Sequence, residues 1–278
     1  MALQPYASPV EKAWYWFLRI FCALVLLFLM LPVLVIIPLS FNGGSFLTYP
    51  LDGFSLRWYQ EIFDPQGPWL AALKNSLIVA PFATLLSMVL GTLAAVGLNR
   101  ADFPGKGLIL ALLISPMVVP LVIVAVGMYF FFAQVGLLNS YSGLILAHTV
   151  LGVPFVVITV NATLQGFDFN QMRAGASLGA DPLTVFFKVV LPQILPGVAS
   201  GGLFAFATSF DEVVVALFIA SPAERTLPIQ MFSGIRENIS PAIAAMASIM
   251  IALAVLLLLV MEILRRRSER LKGEAAVS

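Results

Sequence analysis

Charge is scarce in this chain. Of its 278 residues, only 10% are Asp, Glu, Lys or Arg, against roughly 25% in a soluble domain. Net charge is +1, so nothing points to nucleic acid or to an acidic partner. Cysteine and histidine occur once each, as Cys22 and His148. A single cysteine excludes an internal disulfide. A single histidine, with no H-E-x-x-H and no Cys/His grouping, offers no metal-ligand spacing and suggests no Ser/His/Asp arrangement. There is no G-x-x-x-x-G-K followed by Ser or Thr. The nearest fragment, Pro104-Gly105-Lys106-Gly107, lacks the first glycine and the hydroxyl residue, so it cannot cradle nucleotide phosphates as a P-loop does.

Apolar runs take the place of charge. The chain is 60% hydrophobic, with a mean hydropathy of +1.00. Six stretches approach the ~20 residues needed to cross a bilayer core: Phe17–Leu39, Ser76–Leu98, Leu108–Ala133, Leu144–Val160, Gly197–Ala220 and Ala242–Leu264. The fold class expected is an all-α membrane protein with six transmembrane helices. The first run is too long for a cleaved signal peptide, and no small-residue cleavage site follows it. Cys22, inside it, reads as a small core or lipid-facing residue. Placing both termini in the cytoplasm puts 11 of the 15 Lys and Arg residues inside and 4 outside, as the positive-inside rule prefers. The cluster Arg265-Arg266-Arg267 after the last run is the clearest stop signal.

Within the runs, Gly91 and Ala95 form a small-xxx-small pair that lets helices approach closely. Pro32, Pro81, Pro116, Pro120 and Pro154 each remove a backbone hydrogen bond and invite a kink. In the long first outer loop, Asn42-Gly43-Gly44-Ser45 reads as a turn. Ser55–Phe63 reads as a short helix capped by Ser55, with Leu56, Tyr59, Ile62 and Phe63 on one face and Trp58 and Tyr59 at headgroup level.

The polar stretch Phe167–Pro196 reads as two short helices joined by a turn. Asp168 and Gln171 have capping-box spacing. Gly179 suits the left-handed residue that ends a first helix. Asp181-Pro182 restarts a second, with the carboxylate as cap and proline at the first position. Pro192 and Pro196 are expected to bend or close that second helix.

This stretch resembles the EAA loop of permease subunits of ABC importers, whose pattern is EAA, three residues, G, nine residues, I-x-LP. Ala174, Leu178, Gly179, Ala180, Leu191 and Pro192 match it. Arg173 stands where that family has Glu, and Gly175 where it has the second Ala. The resemblance implies a cytoplasmic coupling loop, Arg173, Ala174, Gly175, Leu178, Gly179, Ala180 and Asp181, that docks on an ATPase subunit. A salt bridge made by a carboxylate at the first position is not available to Arg173. The plain alternative is an ordinary amphipathic loop.

The resemblance runs from about Leu70 to Leu264. It divides the chain into 1–69 (first helix and outer loop), 70–264 (permease core) and a basic tail, 265–278. It implies a bacterial inner-membrane subunit with no cofactor of its own, ATP and Mg being held by a separate ATPase pair. It also implies a second, non-identical permease subunit and a periplasmic solute-binding protein.

Asp211-Glu212 is the other polar anomaly. Counted from Gly197, Asp211 lies roughly 21 Å along a helix, inside an apolar run where an acid costs about 2.5–3.5 kcal/mol to insert. The pair either lines the route of a cationic cargo or forms a structural pair with Arg225, Arg236 or a neighbouring subunit. The segment Ser209–Pro241 resembles that of spermidine/putrescine-type permeases, which implies polyamine transport. His148 reads as a histidine hydrogen-bonded within the bundle, with a place on the substrate path as the alternative. The rival function is a secondary transporter driven by an ion gradient through Asp211 or Glu212. A membrane enzyme lacks any constellation to support it.

Overall fold

The structure is a computed structural model that describes residues 8–237, 239–256 and 259. The basic tail and the end of the sixth expected span lie outside the described residues. Among them there is no strand, only an isolated bridge between Asn42 and Phe54.

Two compact units are present: Pro68–Ser233, and the described residues before and after it. The second of these holds α1 (Pro9–Leu39). Its start is fixed by a capping box: the Ser8 hydroxyl accepts from Glu11 N–H at 3.2 Å and the Glu11 carboxylate accepts from Ser8 N–H at 2.7 Å. None of the α1 residues is buried, and only Tyr15 and the last turns, at Val33, Ile36, Ile37 and Leu39, are partly covered, so most of the apolar cylinder is left to lipid or to another subunit.

In the loop after α1, Asn42 is a hub. Its side-chain amide donates to the Phe46 carbonyl, its Oδ1 accepts from Gly44 and Asp52 N–H, and its own carbonyl accepts from Trp58 Nε1 at 2.8 Å. That last bond corrects the expected face of α2 (Arg57–Ile62): Trp58 and Ile62 are buried, whereas Leu56 and Phe63 are exposed. Nor does Ser55 cap the helix. The N-cap is Leu56, without a side-chain bond, and Ser55 only accepts from Arg57 N–H. The same unit holds a further helix over Pro241–Leu256.

The Pro68–Ser233 unit is built on α3 (Pro68–Arg100), α4 (Lys106–Val118), α5 (Leu121–Val135), α6 (Tyr141–Leu164) and the helical run Pro182–Phe210. Lipid gives helices no hydrophobic reason to associate, so contact depends on close packing. Glycine supplies it. A Cβ on Gly91 of α3 would stand 2.7 Å from Val156 Cβ, and one on Gly201 would stand 2.7 Å from Val156 Cα. Val156 of α6 is thus wedged between two helices and fully buried. Around it Ala95, Val160, Leu164, Ile194 and Val198 form one core; Val79, Phe132, Leu144, Leu151 and Ile219 form a second.

The third expected span is not one helix. α4 and α5 meet at a 108° bend. Pro120 explains it. The residue before proline is pushed out of helical geometry, and Val119 has φ −72°, ψ 136°. The prolines Pro81 and Pro154, by contrast, sit inside unbroken helices.

Polar contacts sort the two ends of the bundle. At one end Asn75 donates to the carbonyls of Ala223 and Arg225, Tyr141 Oη donates to Asn75 Oδ1, and Ser76 accepts from Leu227 N–H. At the other end Arg100 shares a cavity with the Phe169–Val185 stretch. The bent pair starts at the second end and finishes at the first, where Asn139 N–H donates to Ile219 C=O, so α4 and α5 together cross. Four long helices and this pair make up to five crossings among the described residues.

Candidate functional site

Two places bring together the polar residues that the sequence singled out. The first is the elbow after α6. α7 (Asn170–Ser177) ends in a Schellman motif: Gly179 N–H donates to Ala176 C=O and Ala180 N–H donates to Gly175 C=O, with Gly179 at φ +83°. Asp181 then caps α8 (Pro182–Val185), accepting from Thr184 N–H at 3.2 Å, with Pro182 in the first turn. Hydrogen bonding from the Thr184 side chain, and then from its backbone N–H, holds the Asp181 carboxyl below the ordinary carboxylate range.

Arg173, Ala174 and Leu178 are exposed, Leu178 by 89%. Gly175 and Ala180 are half-buried, and a Cβ on Gly175 would stand 3.1 Å from Val185. The expected capping box at Asp168 and Gln171 does not form. Asp168 accepts from Asn170 N–H, and Gln171 is taken by Gln193, whose Nε2 donates to it at 2.6 Å. Nor do Pro192 and Pro196 close the second helix. A π-helical turn over Phe186–Val190 leads from α8 into α9 (Leu191–Phe210). The widened turn absorbs the hydrogen bond that Pro192 cannot make, and the helix continues without a stop.

The second place is a break where the expected fifth span was continuous. α9 ends at Phe210, with Asp211 as its C-cap, and α10 (Val214–Ile219) begins three residues later. Glu212 causes the restart. Its carboxylate accepts from Val215 N–H at 2.7 Å and from Ala216 N–H at 2.8 Å, satisfying donors that lipid could not.

Behind Glu212 stands His148, buried on α6. Its Nδ1 is 2.8 Å from Ser209 Oγ, and its Nε2 is 3.7 Å from Glu212 Oε2, too long for a hydrogen bond. His148 therefore ties α6 to the break, and Arg225 donates to Gln230 Oε1. Asp211 differs from its neighbour: it is exposed, and it lines a cavity of about 780 Å³ with Met117, Val119, Phe155, Thr208 and Glu212. Two helix breaks, at Val119 and at Asp211–Val213, border that cavity. Irregular backbone at membrane depth is tolerated where it lines such a space.

The fold thus brings Ser209, His148 and Glu212 together, and Arg100 together with Arg173. It keeps the elbow and the acidic pair apart, at opposite ends of a helical run roughly 42 Å long. Ser209 and Arg100 escaped the sequence reading because nothing local marks them.

Residues 87–270 match the family described as binding-protein-dependent transport system inner membrane component. The chain belongs to that family. Among curated relatives, the spermidine/putrescine transport system permease protein PotC of Haemophilus influenzae is 33% identical over 249 residues, covering 89% of this chain and 96% of that protein. The putrescine transport system permease protein PotI of Escherichia coli is 33% identical over 235 residues, covering 81% and 82%.

Of solved structures, a bacterial ABC transporter involved in import of the acidic polysaccharide alginate aligns with TM-score 0.72 at 15% identity, covering 95% of this chain and 99% of that one. The alginate transporter in complex with a pentasaccharide-bound periplasmic protein aligns with TM-score 0.66 at 15% identity, covering 91% and 93%. This family's fold therefore serves a polyanion importer as well, so the fold does not set the charge of the cargo.

Proposed function

We propose that this chain is a permease subunit of an ATP-driven importer of polyamines or a related organic cation, working by alternating access. The observation that carries the cargo class is Asp211: an exposed carboxylate on a cavity bordered by two helix breaks, in a chain about one-third identical to polyamine permeases. An unpaired acid at that depth is costly unless a cation or water meets it.

In this reading the elbow faces the cytoplasm, as the positive-inside rule favours for the end bearing Arg100, Lys106, Arg173 and Lys188. There it meets one of a pair of ATPase subunits that hold ATP and Mg. A periplasmic binding protein delivers cargo at the opposite face, and a second, non-identical permease completes the pathway. ATP-driven closure of the ATPases moves the elbow, and α9 carries that motion to Asp211. Family membership favours this over an ion-gradient transporter.

The test is uptake of putrescine and spermidine by the reconstituted complex. Asp211→Asn is expected to cut uptake about tenfold or more while ATPase assembly is unchanged, since a unit charge at ~4 Å is worth about 4 kcal/mol at an effective dielectric of 20. Normal uptake by this variant would remove the carboxylate from the route. Uptake that persists without the ATPase and collapses with an uncoupler would replace the mechanism.

A further inference from the structure

The elbow holds a second cavity, of about 430 Å³, lined by Arg100, Phe169, Met172, Arg173, Ala176 and Val185 among others. Two arginines line it and no acidic residue does. The acids at this end are occupied elsewhere: Asp102 pairs with Lys106 at 3.1 Å, Asp168 accepts from Asn170 N–H, and Asp181 caps α8. Arg173 has one long contact, 3.5 Å to Asn170 Oδ1, and Arg100 has no hydrogen-bond or ion-pair partner among the described residues. Close along the chain to the lining residues Ala180 and Pro182, apolar side chains stand in the open: Leu178 is 89% exposed and Leu183 68%.

We propose that this cavity is the seat of an acidic side chain, Glu or Asp, carried by the ATPase subunit that docks on the elbow. The proposal rests on the reading that an ATPase meets the elbow. It adds that the charge of the contact is reversed: the cation sits on the permease and the anion on its partner. A guanidinium presents a planar fork that takes a carboxylate through two parallel hydrogen bonds, and two arginines line the space. The apolar rim selects a protein surface over a phospholipid phosphate. A phosphate would satisfy the arginines and leave Leu178 and Leu183 in water, whereas a protein surface covers both at once.

The experiment measures ATPase retention on the purified, lipid-reconstituted permease complex across a salt series, with Arg173→Glu, Arg100→Glu, Arg173→Lys and Gly179→Asp. The two charge reversals are expected to insert normally, since neither arginine is buried. Each is expected to weaken ATPase retention about tenfold and to flatten its salt dependence, the usual mark of a lost interfacial charge pair. Arg173→Lys is expected to keep the salt slope, because the charge remains, and to lose part of the retention, because an ammonium lacks the planar fork.

If both reversals hold the ATPase as wild type does while Gly179→Asp loses it, the elbow still docks but the reversed contact is wrong. If the reversals hold the ATPase yet lose thermal stabilisation by phosphatidylglycerol vesicles, the occupant is a lipid phosphate and the proposal falls. If Gly179→Asp also retains the ATPase with undiminished uptake, the docking reading itself fails.

Discussion

Replacing Glu212 separates a cap from a cargo site. Its carboxylate accepts two N–H groups at the start of α10, at 2.7 and 2.8 Å, and is 95% buried. Glu212→Ala leaves both donors without a partner. A buried unsatisfied polar group costs about 1–3 kcal/mol, so the loss is about 2–6 kcal/mol. Glu212→Gln keeps one acceptor oxygen and turns an NH2 toward a donor, so it is expected to fall between the two.

The assay pairs thermal unfolding of the solubilised complex with polyamine uptake. Glu212→Ala is expected to lower the unfolding temperature, with uptake lost in proportion to the folded fraction. Asp211→Asn, whose side chain has no hydrogen bond among the described residues, is expected to leave stability within about 0.5 kcal/mol and to lower uptake. A Glu212→Ala variant that is fully stable but inactive would refute the capping argument, because it would make Glu212 the group that meets the cargo.

Other expectations follow from the same geometry. Gly179→Val places a β-branched residue at φ +83° where nothing lies within 4 Å of its Cβ. The cost is conformational, about 1–2 kcal/mol, and ATP-coupled uptake should drop while Gly179→Asn stays close to wild type. Gly91→Leu drives a side chain into Val156 and should destabilise the bundle by about 1–3 kcal/mol or more, read as lower yield of assembled complex. Because the folded Asp181 carboxyl is held below its ordinary value, its contribution is complete above the unfolded-state value and is lost as pH falls through the folded one. The protection of the 183–185 amides, with the intrinsic pH dependence of exchange divided out, should therefore fall on acidification in wild type and change less in Asp181→Asn.

The parts of the fold legible in the sequence are those decided locally. A run of about twenty apolar residues can cross a bilayer whatever surrounds it. Gly179 and Asp181-Pro182 were readable because a left-handed glycine and an acid-proline cap act within four residues. What misled was any feature settled across the chain. Gln171 looked like a capping partner, but Gln193, 22 residues on, holds it. Leu56 and Phe63 looked like the packed face of α2, but the Asn42 carbonyl, 16 residues back, draws Trp58 inward instead.

The break at Asp211 was hidden because the apolar run continues past it. Only the carboxylate of Glu212, folding onto the next turn, shows that two helices meet there. The capping box of Ser8 and Glu11 starts α1 eight residues before the expected run, because polar residues carry the helix beyond its apolar stretch. Ser209 and Arg100 carried no such signal, since each matters only through a partner more than 60 residues away.

The π-helical turn at Phe186–Val190 joins the elbow to α9 without a hinge. No loop interrupts the chain from Pro182 to Phe210. In the coupling proposed above, that run would serve as a connecting rod: a push at the elbow would meet no slack linker before Asp211, and the one widened turn would be the place where the rod could twist.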